Sequence, residues 1–131
     1  MEKQRPVIPN AIVNNSMSME ELFQNKVIRP VIKELHKILV LALAAYLQNK
    51  NVKFEQKSES EKMDYLSSAI SKDIAFRNML TGMVAGNLSD DEFSTYLSLN
   101  SSDINKRILC ILTERFRSSH EEITLLLNKP L

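Results

Sequence analysis

Glycine, proline and aromatic residues are scarce in this chain, and tryptophan is absent. Its 131 residues include two glycines and four prolines, and aromatic residues make up 6%. Sheet proteins need many turns, which glycine and proline build, and they are rich in aromatic and β-branched side chains. The scarcity therefore argues against a β-rich fold and favours helices. A hydrophobic content of 44% and a charged content of 25% are typical of a folded soluble domain, and the length suits a single one.

Cysteine and net charge are also low. The single cysteine, Cys110, excludes an intrachain disulfide and any zinc site built from several cysteines. The formal net charge of +1 gives no bulk electrostatic reason to bind nucleic acid or an anionic membrane. The first residues, MEKQRPVIP, lack the apolar stretch of a signal peptide. We therefore expect a cytoplasmic protein.

The longest apolar run, residues 38–47, is too short for a membrane span, which needs roughly 20 such residues. It is the second half of a helical pattern over residues 27–47. One stripe of that pattern consists of Ile28, Ile32, Leu35, Leu39, Ala42 and Tyr46. Because residues 38–47 are apolar on every face, they predict a central helix that is buried all round. Pro30 is expected to kink this helix without ending it.

Helical spacing and capping motifs predict the remaining helices. Ser58 with Glu61 and Ser89 with Glu92 match the capping box. The predicted helices cover residues 59–71, 74–85, 90–99 and 103–127. Ser119 could divide the last of them, but the apolar phase continues across it, so one helix is preferred. The sequence thus predicts an all-α fold: an extended tail over residues 1–17, then a single-domain irregular bundle of five or six helices over residues 18–131.

Three segments carry a resemblance to a known family. They are FQNKVIRPVIKELHKIL, KDIAFRNMLTGMVAGNLSDDEFSTYL and SSDINKRILCIL, within residues 22–112. Together they resemble a small, functionally uncharacterised family of all-helical bacterial proteins, whose members are sometimes labelled "glyoxalase". The resemblance implies a helical fold. The residues do not support the label, because glyoxalase I binds its metal through His and Glu on strands, and this chain has two histidines and no predicted strand.

Catalytic and metal-binding motifs are not found in the sequence. His36 and His120 lack a second ligand at helical spacing, and Thr124 stands where HExxH would place its second histidine. Cys110 lies on the helix face of Lys106 and Arg117, and cations near a thiol can raise its reactivity. A nucleophile also needs a base within reach, so we expect an inert thiol. The sequence predicts no catalytic residue, no metal and no cofactor.

A basic stripe lies on the first half of the central helix. It consists of Lys26, Arg29, Lys33 and Lys37. Such a stripe could meet phosphate, or it could be a solvated face paired with glutamates. The near-neutral net charge and the lack of interleaved aromatic residues argue against nucleic acid as the partner.

The leading hypothesis for function is a small helical interaction or scaffold protein that forms a homodimer and could bind another protein. Two helices of 25 or more residues would exceed about 37 Å, longer than so small a domain needs. The end of the last helix would then extend beyond the domain, and its apolar residues are predicted to form an interface with a partner. They are Phe116, Ile123, Leu126 and Leu127. The alternative is a ligand-binding or enzymatic bundle with an inter-helix pocket around Tyr46, Tyr65 and Tyr96. Enzymatic activity is left open, with a non-enzymatic role preferred.

Overall fold

The computed structural model describes residues 18–128, and every regular element in that range is helical, which confirms the all-α prediction. The elements are α1 (Met19–Phe23), a π-helical turn (Gln24–Ile28), α2 (Arg29–Glu34), α3 (His36–Asn49), a 3₁₀ turn (Phe54–Gln56), α4 (Glu59–Lys72), α5 (Ile74–Ala85), α6 (Asp90–Ser98), α7 (Ser101–Ser118) and α8 (His120–Leu127). The predicted tail, residues 1–17, lies outside the described residues. Within residues 18–128, no helix combines the length and the apolar content needed to cross a bilayer.

Side-chain caps define the starts of α4, α5 and α6. The hydroxyl of Ser58 accepts the Glu61 N–H at 3.2 Å, and the Glu61 carboxylate accepts the Ser58 N–H at 2.9 Å. Ser89 and Glu92 form the same reciprocal pair. Asp73 accepts the N–H of the third residue beyond it, at the start of α5. Each cap satisfies backbone donors that a helix start leaves open, so the capping boxes predicted at Ser58 and Ser89 are confirmed.

Pro30 lies inside a continuous helical stretch. It lacks the N–H that would bond four residues back, and the π-helical turn Gln24–Ile28 comes just before it. The chain remains helical through Pro30, as predicted. The interruption falls instead at Leu35, with φ −88° and ψ 5°. The hydrogen bonds from Leu35 N–H to the Val31 carbonyl and from Leu39 N–H to the Leu35 carbonyl are both 2.9 Å, so the helical hydrogen-bond pattern continues across Leu35.

The helix α3 contributes the most buried residues of the described core, but it is not buried on every face. Its fully buried residues are Leu39, Val40, Leu43, Ala44 and Leu47. Ile38 is 55% exposed and Leu41 is 36% exposed. The prediction of all-round burial over residues 38–47 is therefore wrong for one face. A chain of this size has too few helices to cover every apolar side chain, and most protein surfaces retain apolar area.

The prediction of one final helix is wrong, because α7 ends at Ser118 and α8 begins at His120. Ser119 between them has φ −103° and ψ 14°, and its side chain makes no cap hydrogen bond. The break allows α8 to pack against α3 with Ile123 fully buried. The apolar phase across Ser119 did not reveal the break, since the stripe faces the core on both sides of it.

Candidate functional site

A polar cleft of about 660 Å³ is lined by residues of the π-helical turn, of α2 and of α7. We call it the arginine cleft. Its charged and amide lining consists of Arg29, Arg107, Arg115, Glu114 and Gln24. Three arginines and one glutamate give this lining a formal charge of +2 (three minus one). The segment before Pro30 supplies one wall, and the polar side of α7 supplies the other.

Two of the three arginines are held by neighbouring side chains. Arg107 donates from Nε to the Asp103 carboxylate at 2.8 Å and from Nη1 to the Gln24 amide oxygen at 2.9 Å. The second bond connects α7 to the π-helical turn. Arg29 donates from Nε to the Asn25 amide oxygen at 3.2 Å. Each guanidinium has five N–H donors, so these bonds orient both groups and leave donors for a ligand.

Arg115 has no direct counter-ion in residues 18–128, and unlike the other two arginines it has no side-chain oxygen partner there. Its Nε is buried and has no hydrogen-bond partner there. Burial lowers the pKa of this guanidinium below its usual value, because desolvation disfavours the charged form. A desolvated charge without a counter-ion is costly. The cleft therefore contains a cation that the described protein leaves uncompensated.

A three-residue relay holds Arg115 in place. Its Nη1 lies 3.2 Å from His36 Nδ1, and His36 Nε2 lies 2.9 Å from Glu122 Oε1. Arginine donates but never accepts, so Nδ1 is the acceptor and the neutral ring carries its proton on Nε2. That proton is donated to Glu122. The relay joins α7, α3 and α8.

The four predicted basic residues are divided between the cleft and the surface. Arg29 is half-buried and lines the arginine cleft. Lys26, Lys33 and Lys37 are exposed. Arg107 and Arg115 were not predicted from the sequence as partners of Arg29. One signal was available, because Arg115 lies in the middle of the apolar stripe of the last predicted helix.

The four predicted interface residues lie against the protomer's own core. Phe116 and Ile123 are fully buried, and Leu126 and Leu127 are partly buried against the same core. The break at Ser119 shortens the last helix, so the overhang that motivated the prediction is absent from the described residues. Phe116 and Ile123 are thus already packed within the protomer, and a role of the four residues in self-association stays a prediction. Leu125, which is 63% exposed, is the most exposed apolar side chain of α8.

The remaining predicted groups are dispersed. Cys110 is exposed and lines the arginine cleft. His120 lies 3.8 Å from a Glu59 carboxylate oxygen, and its Nδ1 is buried without a partner. No group of three or more His, Cys, Asp or Glu side chains that could hold a metal occurs in the part of the chain that the structure describes.

The three tyrosines do not form one pocket. Tyr46 and Tyr65 line a second cavity of about 460 Å³, whereas Tyr96 donates to Asn105 elsewhere, at 2.7 Å. Tyr46 stacks on Phe76 and donates to Asp73 at 2.9 Å. Burial and this bond raise the pKa of Tyr46 to about 12. The Phe76 N–H and then Tyr46 lower the pKa of Asp73.

Replacing Tyr46 with phenylalanine is expected to cost about 1 kcal/mol of unfolding free energy at pH 8, the usual net value of one hydrogen bond. The pKa of Tyr46 is higher in the folded protein, about 12, than its ordinary value of 10.0. The contribution is therefore complete below pH 10 and is lost as the pH rises towards 12. Denaturant unfolding at pH 8 and pH 11 should show the wild-type advantage shrinking. An unchanged difference would contradict the Tyr46–Asp73 bond.

No protein-family model, curated protein or solved structure matches this chain. The resemblance to the all-helical bacterial family therefore stays a prediction.

Proposed function

We propose that this protein binds a small molecule through a phosphate, sulfate or carboxylate group held in the arginine cleft. The observation that carries the proposal is the uncompensated Arg115: a half-buried guanidinium with a buried, unpartnered Nε, next to a cavity. An anion at Arg115 supplies the missing counter-charge. Buried charges in proteins are paired as a rule, so the unpaired one marks the place where a ligand belongs.

The other lining residues fit the same class of ligand. Arg29 and Arg107 are already oriented by Asn25, Asp103 and Gln24, so less conformational freedom is lost on binding. The planar fork of arginine matches carboxylate and phosphate oxygens in a bidentate manner. A volume of about 660 Å³ lies within the range of small-molecule sites, about 300–1,000 Å³. Exposed Glu114 adds a place for a donor group of the ligand.

The proposal is tested by the reactivity of Cys110. This residue is the only cysteine of the chain, is exposed and lines the arginine cleft. Alkylation by the uncharged reagent N-ethylmaleimide should slow several-fold, and saturably, as sulfate, phosphate or succinate is added at constant ionic strength. Chloride at the same ionic strength should have no effect. A small free thiol in the same solutions controls for direct effects on the reagent.

Either of two results would contradict the anion site. One is an alkylation rate that is independent of every anion. The other is a rate that follows ionic strength alone, which would indicate screening of the surface rather than occupancy of the cleft.

Self-association is the second candidate, and the exposed face of α3 favours it. Ile38 and Leu41 are exposed there, and Ala42 and Ala45 follow at helical spacing. We infer that α3 is the central helix of a single irregular bundle and that its exposed face pairs with a second copy. Sedimentation velocity over a hundredfold range of concentration should show a dimer. A monomer at the highest concentration would rule it out.

The cytoplasmic location of the protein stays a prediction.

A further inference from the structure

The arginine cleft is connected to a titratable group that is not part of its lining. His36 accepts from Arg115 through Nδ1 at 3.2 Å and donates to Glu122 through Nε2 at 2.9 Å. This arrangement requires the neutral ring, because a protonated ring has N–H groups at both positions and no acceptor. The position of Arg115 in the absence of a ligand therefore depends on the charge of His36.

We propose that His36 and Glu122 position Arg115 for the anion and that anion binding at Arg115 takes up a proton on His36. The inference rests on the proposed anion site. It assigns His36 as a positioning residue rather than a catalytic one, since its side chain contacts Arg115 and Glu122 and is absent from the cleft lining.

The coupling follows from the charges at the relay. Without an anion, protonation of His36 removes the acceptor of the Arg115 bond and sets two cations about 3 Å apart. With an anion bound, the charge of Arg115 is countered, and its Nη1 donates to the ligand instead. His36 is then free to carry a second proton and to form an ion pair with Glu122. The bound state therefore holds the proton more tightly than the free state.

The charged groups around His36 set the direction of the effect. Glu122 on α8 favours the protonated ring, and Arg115 on α7 opposes it. Lys33 and Lys37, on the same segment as His36, also oppose protonation of its ring, but both side chains are exposed and their charges are screened by solvent. Binding of an anion weakens the opposition from Arg115. By linkage, the affinity for the anion rises as pH falls through the range in which histidine titrates.

Sulfate is the appropriate probe, because it keeps its double negative charge between about pH 5.5 and 8, where histidine changes charge. Calorimetric titration at the two ends of this range should show a sulfate affinity at least about fivefold higher at the lower pH. Fivefold is the low end of the typical coupling between two binding sites. Repeating the titration in buffers with different ionisation enthalpies should reveal uptake of up to one proton per sulfate. This measurement needs no variant.

Variants then test whether the proton taken up on sulfate binding is carried by His36. Glutamine at position 36 offers an oxygen to Arg115 and an N–H to Glu122 but does not titrate. His36→Gln should bind sulfate with no pH dependence and no proton uptake. His120→Gln is the matched control, since His120 is the only other histidine and is not bonded to Arg115 in the described structure, and it should behave like the wild type. Glu122→Gln should reduce the uptake.

The outcomes separate the two proposals. Sulfate binding with equal affinity at both pH values and without proton uptake would overturn the coupling and leave the anion site intact. Persistence of the pH dependence in His36→Gln would overturn the assignment to His36. Absence of sulfate binding at every pH would overturn both the site and the coupling.

Discussion

Arg115→Gln is expected to weaken sulfate and phosphate binding about 10- to 100-fold, because hydrogen bonds to charged groups contribute about 1.5–3 kcal/mol. The effect should exceed that of Arg29→Gln or Arg107→Gln. Arg115 alone among the three lacks a side-chain oxygen partner within residues 18–128, so its charge is the most available to a ligand. Calorimetric titration at constant pH and ionic strength measures the loss directly.

The matched control is Arg117→Gln, which removes the same charge from the same helix. Arg117 is exposed and does not line the arginine cleft. It should change the affinity only by the small, salt-dependent amount of a distant surface charge. Equal losses in the two variants would mean that the anion responds to overall charge and not to the cleft, and the proposed site would be wrong.

The unfolding free energy of Arg115→Gln provides a second test of the proposed site. The unpartnered Nε and the desolvated charge of Arg115 cost folding free energy. Its replacement should therefore leave the unfolding free energy nearly unchanged or raise it. A residue whose removal impairs binding without reducing stability is maintained for function, which is the usual trade-off at binding sites.

Local signals in the sequence predicted local structure well. The capping pairs at Ser58 and Ser89 lie three residues from their partners, and the structure contains both. The residues that cap a helix are neighbours in sequence, so their chemistry is readable without knowledge of the fold. Helical periodicity gave the bounds of α4, α5 and α6 to within one residue at each end for the same reason.

The arginine cleft could not be predicted in this way, because its walls come from distant parts of the chain. Gln24 and Arg107, in its two walls, are 83 residues apart, and His36, which contacts Arg115 from outside the lining, is 79 residues from it. These contacts depend on how α7 packs against the π-helical turn and against α3, which no local pattern specifies. The sequence did contain one indication: Arg115 interrupts an apolar stripe. A charged residue on a core-facing stripe predicts either a break in the helix or a site, and here both occur within five residues.

Phe116→Ala is expected to lower the free energy of unfolding by about 3–5 kcal/mol, the usual cost of deleting a fully buried phenylalanine. Phe116 is fully buried in the core and lies three residues before the break at Ser119. Denaturant titration followed by circular dichroism measures the loss, which is large against a typical total of about 5–15 kcal/mol.

The matched control for Phe116→Ala is Leu125→Ala, on the exposed side of α8 at 63% exposure, with an expected change within about 0.5 kcal/mol. The pair of variants also decides between a core and a dimer seam. A seam residue, once removed, would weaken self-association and leave the protomer folded, because the free energy of its burial would depend on protein concentration. A core residue, once removed, lowers stability by the same amount at every concentration. Because Phe116 is buried within one protomer, Phe116→Ala should lower the unfolding free energy by the same amount at every protein concentration. A stability loss that disappears on dilution would instead support Phe116 as part of a dimer interface.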